Sequence, residues 1–198
     1  MIGQLAGRVH PMYGLGVVAR MRGATPVRAV GAVLAVSVFT IGCAPGLDWR
    51  VVRPAGSGAQ LMLPCRPSTF ARPIRLGGQA VTWTLWTCRA AGATWALGFA
   101  DLGDARSVPT ALHELQAAAV AKMRSASARQ IPWSTPGLTP RAEAGRRRWD
   151  GHLADGRRIG VETLHFTLAT RVYEATVVAE RLDPDAVEFF VASLQAAL

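Results

Sequence analysis

The sequence predicts an α+β fold, with one antiparallel β-sheet flanked by two main helices and a signal-peptide helix ahead of them. Three observations predict it. Strand-like alternation recurs in two blocks, over residues 60–101 and 146–178, each punctuated by short turn signals. An apolar stripe at helical spacing follows each block. The strand–helix–strand alternation that a parallel sheet requires is absent. Half of the 198 residues are hydrophobic and 18% are charged, so a single domain has enough apolar chain to bury a core.

Ahead of the first strand the chain carries an address. Arg22 and Arg28 form a positive segment, residues 29–42 are uncharged and apolar, and small residues lead into Cys43. That order is the order of a secretory signal. The stretch Thr40-Ile41-Gly42-Cys43 resembles the lipobox of bacterial lipoproteins, with Thr40 where leucine or valine is usual. The resemblance implies that Cys43 is lipidated and becomes the first residue of the mature protein, with Met21 as the expected start. Its multiple acyl chains would anchor it stably in a membrane. The chain is then divided into a signal peptide (1–42), a lipid-anchored tether and lead-in strand (43–58), and one α+β domain (59–198). Ala44 and Pro45 place no aspartate after the lipidated cysteine, which implies the periplasmic face of the outer membrane in a two-membrane bacterium. The other reading is an uncleaved anchor over residues 29–47, just long enough to span a bilayer. Pro45 and the glycines Gly31, Gly42 and Gly46 make that a poor helix.

Export changes what the remaining cysteines mean. With Cys43 taken by lipid, only Cys65 and Cys88 are left, and an oxidising compartment favours a disulfide between them. Neither has the CxxC spacing or the nearby histidines that redox or metal chemistry would use. Export also changes the charge. The whole chain carries +9, but Arg8, Arg20, Arg22 and Arg28 precede Cys43 with no acid beside them, which leaves +5 for the mature protein. Every basic residue but Lys122 is an arginine. The arginines are scattered apart from Arg146-Arg147-Arg148 and Arg157-Arg158, without the dense stripe of a nucleic-acid surface.

The elements follow in order. Trp49, Val51 and Val52 suggest a short first strand, and residues 60–64 a second. Residues 72–76 and 79–88 read as a hairpin about Gly77-Gly78, because glycines supply the positive φ angles of a tight turn. Val81, Trp83 and Leu85 alternate with Thr82, Thr84 and Trp86, and Trp95, Leu97 and Phe99 continue the pattern on a third strand. Ser107 is the expected cap of the first helix, with Pro109 in its first turn and Leu112, Leu115, Ala119 and Met123 as its buried stripe. A Pro- and Ser-rich loop at 132–140 carries Trp133. Residues 146–153 and 158–167 flank Asp155-Gly156, a two-residue hairpin signal, and 171–178 turns back after Ala169-Thr170. Those turns put Phe166 opposite Tyr173, Leu164 opposite Ala175, His165 opposite Glu174, Trp149 opposite Glu162 and His152 opposite Ile159. The last helix starts at Asp183-Pro184, with Val187, Phe190, Val191, Leu194 and Leu198 as its core stripe.

Trp49 at the opening strand, Leu63-Pro64 at a strand end and Phe189-Phe190 in the closing helix are similar to the PsbP-like α/β/α sandwich over residues 48–198. That resemblance implies an accessory, assembly or binding protein rather than an enzyme.

The candidate chemistry is thin. Asp150 and His152 share a strand face and could orient a general base, but no nucleophile motif accompanies them. A metal would need His152 and His165 together, yet they lie about 20 Å apart at strand rise. His113 has no partner in the sequence. Trp83, Trp95 and Trp149 read as core packing, whereas Trp86 and Trp133 are candidates for a partner or ligand surface. A cavity behind Trp149 and Phe166 would be needed for an apolar ligand. The arginines around the second hairpin could meet anionic headgroups, although Glu143, Asp150, Asp155 and Glu162 offset them. The expectation is a non-enzymatic, cofactor-free lipoprotein of the cell envelope, bound to the membrane by its lipid and serving an envelope protein partner. A small envelope hydrolase or an apolar-ligand-binding protein is the alternative.

Overall fold

The computed structural model describes residues 46–198 apart from 122–123, 136, 153–154 and 198. The signal segment, Cys43, Met123 and Leu198 lie outside the described residues. The described chain begins with β1 (Arg50–Val52), which pairs antiparallel with β2 (Ala59–Leu63). A first meander follows, β3 (Ser68–Leu76), β4 (Gln79–Ala90) and β5 (Ala93–Asp101). A 3-10 turn (Ala105–Ser107) leads into α1 (Val108–Ala121). The second meander is β6 (Arg124–Ile131), β7 (Gly145–His152), β8 (Arg158–Leu168) and β9 (Arg171–Ala179). The chain closes with α2 (Pro184–Ala192) and β10 (Gln195–Ala196), which pairs with β2. The strands form a small sheet, β1-β2-β10, and a seven-stranded sheet, β3-β4-β5-β9-β8-β7-β6, whose two meanders join through β5 and β9.

The expected α+β sandwich with two main helices is therefore corrected. Among the described residues the fold is mainly β, with 50% in strands and 18% helical, in two sheets rather than one. Among the described residues only α1 is a long helix. Two segments account for the difference. Residues 124–131, to which the sequence pattern assigns no element, run as an eight-residue edge strand on β7. The closing helix stops after nine residues because Ser193 intervenes. Its hydroxyl donates to the Phe190 carbonyl at 2.7 Å and accepts from the Met62 amide at 2.9 Å, after which the chain pairs with β2.

Both tight glycine turns can be judged from their φ angles. Gly77 and Gly78 take φ of 61° and 81°, so Leu76 pairs with Gln79 across a two-residue turn. At Asp155-Gly156 only the glycine is positive, at 85°. A type I′ turn needs two positive angles, so the connection lengthens to an odd number of residues. The register moves by one: Trp149 faces Val161 rather than Glu162, and His152 faces Arg158 rather than Ile159. The β8–β9 pairs Phe166–Tyr173, Leu164–Ala175 and His165–Glu174 are present.

β3 is exposed along most of its length, whereas the middle of the large sheet is covered on both faces. On one, Trp95, Leu97, Phe99, Leu164, Phe166, Tyr173, Ala175 and Val177 pack against α2 and the small sheet through Leu61, Leu63, Val187, Phe190 and Val191. Tyr173 stacks on Phe166 at 4.5 Å and donates its hydroxyl to the Ser57 carbonyl. Burial pushes its phenol pKa up from the ordinary value. On the other face, Val108, Ala111, Leu112 and Leu115 of α1 pack on Leu76, Ala100, Leu102 and Val172. The capping oxygen here comes from Asp104, which accepts from the Arg106 amide at 3.0 Å, rather than from Ser107. The helix starts through a 3-10 turn, which moves the cap three residues upstream.

Trp83 belongs to this second face, on the opposite side of the sheet from Trp95. Its indole lies over Gly98, where a Cβ would come within 2.2 Å of the ring. Gly98→Ala must push the indole off the sheet, at a cost of about 1–3 kcal/mol. The check is the midpoint of urea unfolding. A midpoint equal to that of the unsubstituted protein would show that Trp83 does not pack there.

Candidate functional site

The connection from β6 to β7 is 13 residues long (132–144) and folds back as a built structure. Thr139 clamps it to the end of β8. Its amide donates to the Thr167 carbonyl at 3.0 Å, its carbonyl accepts from the Thr167 hydroxyl at 3.1 Å, and its hydroxyl accepts from the Ala169 amide at 3.0 Å. A turn then runs from Arg141 to Ala144, closed by the Ala144 amide on the Arg141 carbonyl at 3.2 Å. The Glu143 carbonyl ties that turn to α1 by accepting from Gln116 Nε2 at 2.5 Å. Held at both points, the loop borders an open groove of about 660 Å³.

The groove has an apolar floor and wall of Ile131, Pro132, Trp133, Leu138 and Phe166. Trp133 and Phe166 lie with ring centroids 6.5 Å apart, and Trp133 and Leu138 also pack on the main core. Its polar lining consists of Gln130, Ser134, Thr135, Thr139, Arg141 and Arg146. Two of its donors, Trp133 Nε1 and Arg141 Nε, are buried with no hydrogen-bond partner among the described residues. Each donor left so loses its water without replacement.

Arg146 is different, because its charge is already taken. The guanidinium is buried and donates to Glu162 Oε1 at 2.5 Å and Glu188 Oε2 at 2.7 Å. Burial alone would weaken its charge, but the hydrogen bonds to Glu188 and Glu162 outweigh that and hold its pKa above the ordinary value. Of the two groove arginines, Arg141 has no carboxylate partner among the described residues.

The remaining candidates are dispersed. Trp86 is half-buried against the main core on the same sheet face as Trp95 and Leu97, not on the opposite face. Trp149 is buried on the α1 face, whereas Phe166 faces the main core, so the sheet itself separates the pair expected to back a cavity. Asp150 and His152 are exposed and border a small recess of about 180 Å³ with Gly151, Arg158, Ile159 and Glu180, which supply no serine, threonine or cysteine for a base to activate. His165 is fully buried and its Nε2 donates to Glu174 Oε2 at 3.0 Å. His152 pairs with Arg158, seven positions from His165 along β8, so the two histidines lie about 23 Å apart at strand rise. Among the described residues no three His, Cys, Asp or Glu side chains could share a metal ion. His113 is exposed on α1.

Cys65 and Cys88 are joined as a disulfide, with Cα atoms 5.9 Å apart, linking the end of β2 to β4. Arg157 and Arg158 meet Arg89 and Arg181 at the far end of the sheet, where Glu180 and Asp155 stand among them. Of the groove residues, sequence reasoning singled out Trp133 and Phe166, and Arg146 only as part of an arginine cluster. Arg141, Leu138 and Thr139 carried no spacing or motif that marked them. No protein-family model matches the chain, and no curated protein does.

Proposed function

We propose that this chain is an exported, lipid-tethered binding protein of the bacterial cell envelope, and that the groove under the 132–144 loop is where it holds its partner or ligand. The groove is the observation that carries the reading. Its volume of about 660 Å³ falls in the range of ligand pockets, which bury apolar bodies against a few placed polar groups. Its described lining includes no histidine and no carboxylate, a set suited to holding a molecule rather than transferring its protons. The Thr40–Cys43 signal supports the address, with Cys43 lipidated and the domain facing the periplasm from the outer membrane. The loop's position also supports a binding role, since Thr139 and Glu143 fix the groove in advance and lower the ordering cost of capture.

The test is the intact mass of the protein extracted from membranes, measured before and after reduction and alkylation. The expected mass is that of residues 43–198 plus a lipid on Cys43, with Cys65 and Cys88 alkylated only after reduction. An unprocessed chain without lipid overturns the tethered reading.

A further inference from the structure

We propose that the groove is selective for an apolar ligand ending in a carboxylate, with Arg141 as the residue that reads the charge. The inference rests on the groove being the binding site, and adds the chemical class of what it takes.

The polar side of the groove is biased toward donors. The two buried groove groups left without partners are both N–H donors, Trp133 Nε1 and Arg141 Nε, so no acceptor among the described residues serves this side of the groove. Charge narrows the choice of ligand further. Arg146 is neutralised by Glu162 and Glu188, while Arg141, which also lines the groove, has no carboxylate partner among the described residues. Glu143, on the same turn, does not line the groove. A planar guanidinium meets a carboxylate through two parallel hydrogen bonds, a match that neither an alcohol nor an amine can make. The rest of the ligand must be apolar, because Ile131, Leu138, Phe166 and the Trp133 ring would otherwise face an unpaired polar surface. Arg141 is also held ready. Its own carbonyl closes the 141–144 turn, and both flanks of that turn are hydrogen-bonded to the body of the domain.

The experiment is photoaffinity labelling of the full protein in zwitterionic lipid nanodiscs, using diazirine analogues of octanoate, octanol and octylamine at equal concentration. Labelled sites are mapped by peptide mass spectrometry. The octanoate probe is expected to label the segment 130–146, to be competed by unlabelled octanoate, and to exceed the octanol probe by at least about tenfold. Arg141→Gln should reduce octanoate labelling to the octanol level without lowering the melting temperature. Arg141→Lys should restore part of it. Equal labelling of that segment by the acid and the alcohol, or preference for the amine, overturns the carboxylate inference while leaving the groove as a binding site. Failure of all three probes to label the segment overturns both.

Discussion

Replacing Arg146 with methionine is expected to destabilise the domain by about 3–5 kcal/mol, because it leaves the Glu162 carboxylate buried without a partner. Glu162 is 3% exposed and Arg146 5%, so neither charge has water to fall back on. The second partner, Glu188, has a side chain that is 64% exposed. Glu188→Gln should therefore cost less than about 1 kcal/mol, as for other pairs in contact with solvent. The informative variant changes both buried partners. Arg146→Met with Glu162→Leu removes the two desolvated charges together and should recover most of the loss, since a buried pair contributes little net stability over apolar residues of similar size. Urea unfolding of the three variants checks this. Equal losses for Arg146→Met and the double variant would mean that the arginine acts through packing and not through Glu162.

This pair shows why the site was only partly legible in the sequence. Arg146-Arg147-Arg148 looks like a solvated charge run near a hairpin. On a strand, however, alternate residues face opposite ways, and Arg146 points with Leu164 into the main core. Recognising its partner required the right β7–β8 register. Asp155-Gly156 supports both a two-residue turn and a longer loop with one left-handed glycine, and only the longer loop puts Glu162 on the same face as Arg146, diagonally across the strand pair. The β8–β9 register could be read because the two-residue connection at Ala169-Thr170 leaves one way to align Phe166 with Tyr173.

The edge strand β6 was invisible for another reason. Its sequence Arg-Ser-Ala-Ser-Ala-Arg-Gln-Ile has one large apolar residue and no alternation, so backbone pairing with β7 alone defines it. The groove depends on that strand and on Thr139, whose contacts span about thirty residues of chain. Local patterns do not record such contacts. Trp133 was noticed because a tryptophan in a loop is conspicuous, whereas a lone arginine eight residues later is not.

Removing the Cys65–Cys88 bridge is expected to be the other large effect. The bridge separates its cysteines by 23 positions, and a closed loop of that size constrains the unfolded chain by about 3 kcal/mol on the chain-entropy estimate. For a domain of this size that corresponds to a fall in melting temperature of roughly 6–12 °C. Its position adds to the expectation. Cys88 is buried in β4, and Cys65 lies just beyond β2, so the bond fastens the three-stranded sheet to the outer half of the large sheet. The paired Cys65→Ala and Cys88→Ala variant should unfold at the lower temperature, and the unsubstituted protein should reach that temperature in excess dithiothreitol. The two measurements separate the covalent constraint from the packing of the sulfur atoms. If dithiothreitol matches the variant, the loss is the constraint itself, and production in a reducing compartment should give the same weakened domain. If reduction leaves the melting temperature unchanged, the small sheet is held by its apolar face alone, through Leu61, Leu63 and Phe190.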